Sequence, residues 1–203
     1  MSKFKLIEEE LDYIHAKPTS IVDRFIWGVT RRGSIEYNIS LPVSVFLRLQ
    51  VFCEDIEELS DYVFTPQDLI EALYDDFLYF SKKVADIDKI HNQLMLQNEL
   101  MENVYPSGNE RSTNDKRLIL KNNEIVSKIQ NVSPSFVTLK IGIKRKKALR
   151  GEIVLADMEE QYSDHPFSLE KILSIMVFDF VNEVKNGNAK ALIERVLNSL
   201  DQR

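Results

Sequence analysis

The sequence predicts a mainly α protein with a small antiparallel two-stranded ribbon, formed by two diverged copies of one strand-helix-helix unit plus extra helices. Three observations carry this. Ile35, Tyr37, Ile39 and Leu41 alternate with Glu36, Asn38 and Ser40, the period of a half-buried strand. Val137, Leu139, Ile141 and Ile143 alternate in the same way with Thr138, Lys140 and Gly142. Each stretch precedes two segments of helical spacing, and the two blocks superpose at an offset of 102 residues, which becomes 103 after one extra residue in the inter-helix loop.

The elements follow in order. Phe4, Ile7, Leu11 and Ile14 predict an amphipathic helix over 3–16, ended by Pro18. Residues 19–33 are mixed and close on Arg31-Arg32-Gly33, a turn signal. After the strand at 35–41, Ser40 and Pro42 suit a helix start, and a helix is expected from Val43 to about Leu59. Thr65-Pro66-Gln67-Asp68 reads as a cap, a first-turn proline and an acid three residues on. Leu69, Ile70, Leu73, Phe77 and Phe80 give that second helix its buried stripe. Phe80, Ile87, Leu94 and Met101 continue at seven-residue spacing, with Val84 and His91 between. This predicts a continuous helix to about Val104, serving as a dimerisation arm or packing on its own domain.

Residues 105–116, polar with Pro and Gly, read as a mobile linker, and 117–131 as a helix. The second copy then repeats the pattern: a strand at 137–143, a helix from about Lys144 to Tyr162, and a helix capped by Ser168 and running to about Lys185. A terminal helix is expected from Ala189 to Leu200. The division is therefore an N-terminal helical extension (1–33), a first unit (34–83), an insert (84–135), a second unit (136–186) and a C-terminal helix (187–203).

The repeat is visible in paired residues. Ile35, Ile39, Leu41, Leu47, Arg48, Asp55, Glu57 and Glu58 fall on Val137, Ile141, Ile143, Leu149, Arg150, Asp157, Glu159 and Glu160. Beyond the loop, Phe64, Thr65, Leu69, Asp76 and Phe77 fall on Phe167, Ser168, Ile172, Asp179 and Phe180.

Composition narrows the classes. One cysteine, Cys53, rules out an internal disulfide framework, and the broken apolar runs argue against a membrane span or a leader peptide. The expected location is a reducing cytoplasm. His15, His91 and His165 lie far apart and match no catalytic or metal-binding spacing, and six glycines leave little for a phosphate-cradling loop. No enzyme, cofactor or metal is expected.

A short alternating strand ending Ser40-Leu41-Pro42, a helix, a loop and a capped second helix resembles the ribbon-helix-helix family of the Arc and MetJ repressors, which read DNA with a β-ribbon. The resemblance covers 34–83 and 136–186, about half of the chain; Gly142-Ile143-Lys144 departs from the Ser-Leu-Pro of the first copy. One unit can neither bury its strand's apolar face nor satisfy both strand edges, whereas two can. The resemblance therefore implies that one tandem chain equals one family dimer.

It also implies double-stranded DNA as partner. Asn38, Ser40, Thr138, Lys140 and Gly142, with Glu36, would face the major groove, where Asn and Lys bond base edges. The helix starts at Thr65 and Ser168 would offer N–H groups to phosphates, and Arg31, Arg32, Lys144, Arg145, Lys146 and Lys147 would contact the backbone. Each has a plainer role: a solvated strand face, ordinary caps, a solvated basic run. Charge opposes the DNA reading. The net charge is −6, and residues 35–82 hold ten acids against two bases, while 137–186 hold eight of each. An acidic first copy repels a phosphate backbone unless its helical acids point away. The alternative is a protein–protein module, an acidic adaptor or DNA mimic, with homodimer or partner contacts through 80–104 or the terminal helices. A third reading is an all-helical scaffold whose strands are mispredicted.

Overall fold

The computed structural model describes residues 3–16, 20–30, 33–60, 62–105, 119–121, 124–126 and 135–200. Strand β1 (Ser34–Pro42) leads directly into α3 (Val43–Ser60), followed by α4 (Pro66–Val84); β4 (Phe136–Lys144) leads into α6 (Arg145–Gln161) and α7 (Leu169–Glu183). Two helices precede β1, α1 (Lys5–Ala16) and α2 (Ile21–Thr30). Helix α5 (Ile87–Val104) and the short strands β2 (Ile119–Lys121) and β3 (Glu124–Val126) lie between the copies, and α8 (Ala189–Leu200) closes the chain.

The two long strands pair antiparallel with Asn38 opposite Lys140. These two residues are also 102 positions apart, so the pseudo-twofold axis relating the copies crosses the ribbon at this pair. Both strand ends obey the offset, Ser34 matching Phe136 and Pro42 matching Lys144. So does the closure of the ladder: the Val43 amide donates to the Ser135 carbonyl and the Arg145 amide to the Gly33 carbonyl, each at 2.9 Å. The helix starts Pro66 and Leu169 differ by 103, the increment carried by the longer second loop.

Alternation in the strands settles which face is buried. Tyr37, Ile39, Leu41, Ile141 and Ile143 point into the core, and Glu36, Asn38, Ser40, Thr138 and Lys140 point out. Beneath the ribbon the copies exchange partners: α3 packs on α7, α6 on α4, and α4 on α7. Phe52 meets Phe180 edge to face at 4.8 Å between ring centres across the α3–α7 contact. The apolar faces of both units thus enter one core, which neither unit could close alone.

The structure corrects four expectations. First, the helix from Thr65 does not run on to Val104. Ala85 takes a left-handed backbone (φ 47°), and Asp86 begins α5 by accepting the Lys89 amide at 3.2 Å. Second, of the two uses expected for the heptad seam, the dimerisation arm gives way to packing on its own domain. Ile90 and Leu94 are buried, His91 stacks on Tyr162 with ring centres 3.8 Å apart, and Met101 packs on the core, so this seam forms no dimerisation arm. Third, the helix expected over 117–131 is replaced, where described, by β2 paired antiparallel with β3. Two short apolar runs separated by Asn122-Asn123 are hairpin chemistry, and the helical period was too brief to compete. Fourth, 19–33 contains α2. Its start is capped by the Ser20 hydroxyl accepting the Val22 amide at 3.1 Å, and Trp27 stacks on Tyr13 of α1 at 4.3 Å. Of the linker expected over 105–116, Tyr105 ends α5 and meets Phe178; 106–116 lie outside the described residues.

Candidate nucleic-acid interface

The outward ribbon face is built by register. Three cross-strand pairs, Glu36 with Gly142, Asn38 with Lys140 and Ser40 with Thr138, stand on it in a row. All are exposed except Gly142, which is half-buried. The Lys140 ammonium lies 3.5 Å from the Glu36 carboxylate, and both side chains are more than 70% exposed (73% and 72%). Such a pair is held weakly, by at most ~1 kcal/mol.

Gln67, in the first turn of α4, grips the free edge of β4. Its Nε2 donates to the Gly142 carbonyl at 2.8 Å and its Oε1 accepts the Gly142 amide at 3.1 Å. A glutamine after a capped proline gave no sequence signal for this role, because the partner is backbone in the other copy. The contact fixes the ribbon relative to the α4 N-terminus.

The helix starts differ. Thr65 and Asp68 form a reciprocal capping box: the Asp68 carboxylate accepts the Thr65 amide at 2.9 Å and the Thr65 hydroxyl at 2.6 Å. A carboxylate therefore already occupies the positive end of α4. The equivalent position in the second copy is Lys171. Its amide donates to the Ser168 hydroxyl at 3.3 Å and its ammonium lies 3.1 Å from the Glu102 carboxylate of α5. Ser168 and Lys171 border a cavity of about 290 Å³ that also touches Asn38, Ser40 and Glu170, so of the two helix starts it is that of α7 that brings a cation, paired with Glu102, toward the ribbon face. Sequence reading missed Lys171, which sits where the first copy has an acid.

The expected basic run is split by the fold. Lys144 and Lys146 are exposed. Arg145 is not: its side chain is 5% exposed, its Nη1 lies 2.7 Å from the Glu9 carboxylate, and its guanidinium sits 5.3 Å from the Trp27 ring centre. Lys147 lies 2.7 Å from the Asp75 carboxylate. Successive residues at a helix start face different directions, so the four cations of the run cannot share one surface. Arg145 is corrected from a backbone contact to a buried ion pair, and Lys147 is engaged at the surface by the part-exposed Asp75. Arg31 and Arg32 lie outside the described residues.

Arg145 belongs to the seat of α1. The Glu152 carboxylate, on α6, accepts the Leu6 and Ile7 amides at 2.8 and 3.0 Å, and burial pushes its pKa up against those two bonds. Cys53 is buried, and burial pushes its thiol up to about 12, which removes thiolate chemistry at neutral pH. Among the described residues no group of three His, Cys, Asp or Glu side chains has the geometry to hold a metal ion, and no helix is long and apolar enough to cross a membrane. Comparison with protein-family models, curated proteins and solved structures found no match.

Proposed function

We propose that the chain is a double-stranded-DNA-binding protein of ribbon-helix-helix type, in which one molecule does the work of a family dimer and reads the major groove with the β1–β4 ribbon. A transcriptional regulator or a plasmid or phage accessory factor is the role this suits. The observation that carries it is the solvent-facing row Glu36, Asn38, Ser40, Thr138 and Lys140, centred on the pseudo-twofold axis and carried on a two-stranded ribbon of a width the major groove admits. Asn38 suits adenine, Lys140 suits guanine, and Ser40 and Thr138 suit either donor or acceptor edges. Lys144 and Lys146 supply phosphate contacts near one ribbon end and Lys171 near the other.

Most acids of the first copy lie away from this face along the helix axes, although Asp68 caps the α4 start and Glu71 accepts from the ribbon-gripping Gln67 at 2.8 Å. Glu54 is eleven residues into α3, about 16 Å from its start, and Asp76 is ten residues into α4, about 15 Å along. Glu36 stands on the face itself; on binding it exchanges Lys140 for a cytosine amino group.

The second reading, an acidic protein–protein module, is favoured by one observation: Arg145, Lys147, Lys171 and the α4 start are already neutralised by Glu9, Asp75, Glu102 and Asp68. Electrophoretic mobility shift of the full chain with random duplex DNA at low salt separates the two. Binding that weakens with salt and with Lys140→Ala supports the DNA reading. No shift at low salt retires it in favour of the protein module.

A further inference from the structure

The C-terminal halves of α4 and α7, far along both helices from the ribbon, leave a groove of about 600 Å³ between them, walled by α5 and α8. The α4–α5 bend at Ala85 and the α7–α8 bend at Gly187 (φ +94°) fold the two outer helices back to form these walls. The volume falls in the range of small-molecule sites, roughly 300–1,000 Å³. Its floor is apolar, with Leu94, Met176 and Phe180, and its aromatic side is Phe77 and Phe80.

Carboxylates converge on this apolar space. Asp179 is half-buried, and its carboxylate accepts the Gln97 side-chain amide at 2.8 Å. Glu183 follows one turn later, exposed at the groove's rim, a like-charge spacing that is unfavourable on a helix. Asp76, the equivalent of Asp179 in the first copy, lines the same groove. Among the described residues no lysine or arginine forms an ion pair with Asp179 or Glu183. Lys83, also in the lining, lies 6.0 Å from the Tyr79 ring centre. Burial and Glu183 both hold the Asp179 carboxyl above the usual range.

We infer that this groove binds a small lipophilic cation, an aromatic or branched aliphatic body bearing a protonated or quaternary nitrogen. The body fills the space over Leu94, Met176 and Phe180. The nitrogen sits beside the half-buried Asp179 carboxylate and Phe77, with the exposed Glu183 and Phe80 at the groove's rim, where a partly desolvated cation gains from both charge and ring quadrupole. A neutral ligand leaves the half-buried Asp179 carboxylate without a counter-charge, and an anion adds to the repulsion. The site is separate from the ribbon, so it stands or falls independently of DNA binding.

Titration calorimetry of the full chain with phenylbutylammonium, phenylbutanol and phenylbutanoate tests the inference. The expected order is cation over alcohol by about tenfold, with the anion weakest. Asp179→Asn combined with Glu183→Gln abolishes the preference of the cation over the alcohol, and Ala72→Phe, which fills the groove, abolishes binding of both. In the unaltered protein the side-chain amide signals of Gln93 and Gln97 shift on addition of the cation, a readout that needs no variant to fold. Equal binding of all three probes, no binding of the cation, a preference surviving the double substitution, or amide signals that stay still each overturns the proposal. Saturable binding of a basic amphipathic peptide where the cation fails would assign the groove to a protein partner instead.

Discussion

The Tyr74 hydroxyl of α4 fills the space where a Cβ on Gly151 of α6 would sit, and donates to the Lys147 carbonyl at 3.2 Å. The same substituted Cβ would lie 2.6 Å from Leu169 Cδ2. In the other half of the pseudo-dimer the equivalent residues are Leu49 and Val177, both buried, so large and small have changed places across the axis. Gly151→Ala is expected to destabilise by about 1–3 kcal/mol, despite removing a glycine from a helix interior. Gly151→Leu alone should be worse, and Gly151→Leu with Tyr74→Val, which copies the Leu49–Val177 pairing, should recover part of the loss. Denaturant unfolding of the parent, the single variants Gly151→Leu and Tyr74→Val and the double variant gives the coupling, expected at about 1–3 kcal/mol. Additive losses would show that these positions do not select each other.

The repeat, both long strands and the start of α4 were legible in sequence because each rests on local periodicity or a local cap. Ile39 and Ile141 alternate visibly, and Thr65-Pro66 with Asp68 is a self-contained signal. The outward ribbon residues followed directly from that period. What was not legible depends on non-local partners. Arg145 read as one cation of a run, yet its fate is decided by Glu9 and Trp27, more than a hundred positions away. Gln67 finds Gly142 in the same way. The break at Ala85 escaped because Phe80, Ile87, Leu94 and Met101 keep the apolar spacing across it, while the only stop signal was Asp86, a cap hidden in a helical pattern.

The split of the basic run separates stability from DNA binding. Arg145→Ala is expected to cost about 2 kcal/mol, less than for a fully enclosed ion pair because Glu9 still reaches water. Its effect on the salt dependence of DNA binding should be nil. Lys144→Ala with Lys146→Ala should leave the unfolding midpoint unchanged and lower the logarithmic salt slope by up to about 2. Mobility shifts across a salt series, paired with thermal melts, read both. A salt slope altered by Arg145→Ala would contradict the burial assigned to it.

His165 predicts an acid limb in stability. Its Nδ1 accepts the Phe167 amide at 3.1 Å, and its Nε2 faces the Leu155 carbonyl at 3.3 Å and the Glu159 carboxylate at 3.0 Å, a set that the neutral Nε2–H tautomer satisfies. Burial, and then Lys3, lower its pKa below the usual value of 6.5 despite Glu159. A histidine held neutral contributes stability that is complete above the unfolded pKa and is lost as pH falls through the folded one. The midpoint of thermal unfolding should therefore drop between about pH 7 and pH 5. His165→Asn, less stable at neutral pH, should flatten this limb; an unchanged slope would place the titration elsewhere.

Ala85 sets the angle at which α5 returns over α7, and it does so in a backbone region that a side chain disfavours. Its amide donates to the Ser81 carbonyl at 3.2 Å, closing α4, and the next residue, Asp86, opens α5. Glycine at such a position removes the strain from Cβ but adds freedom to the unfolded chain, and the two effects oppose each other. At a left-handed helix end the strain is the larger, so Ala85→Gly should stabilise by about 0.5–1 kcal/mol. Ala85→Val, β-branched at positive φ, should destabilise by more than Gly gains. Because the bend also forms one wall of the groove, Ala85→Val should weaken the phenylbutylammonium isotherm while DNA binding at the distant ribbon holds. Calorimetric unfolding ranks the three proteins, and a glycine variant less stable than the alanine parent would mean that α4 and α5 do not part at this residue.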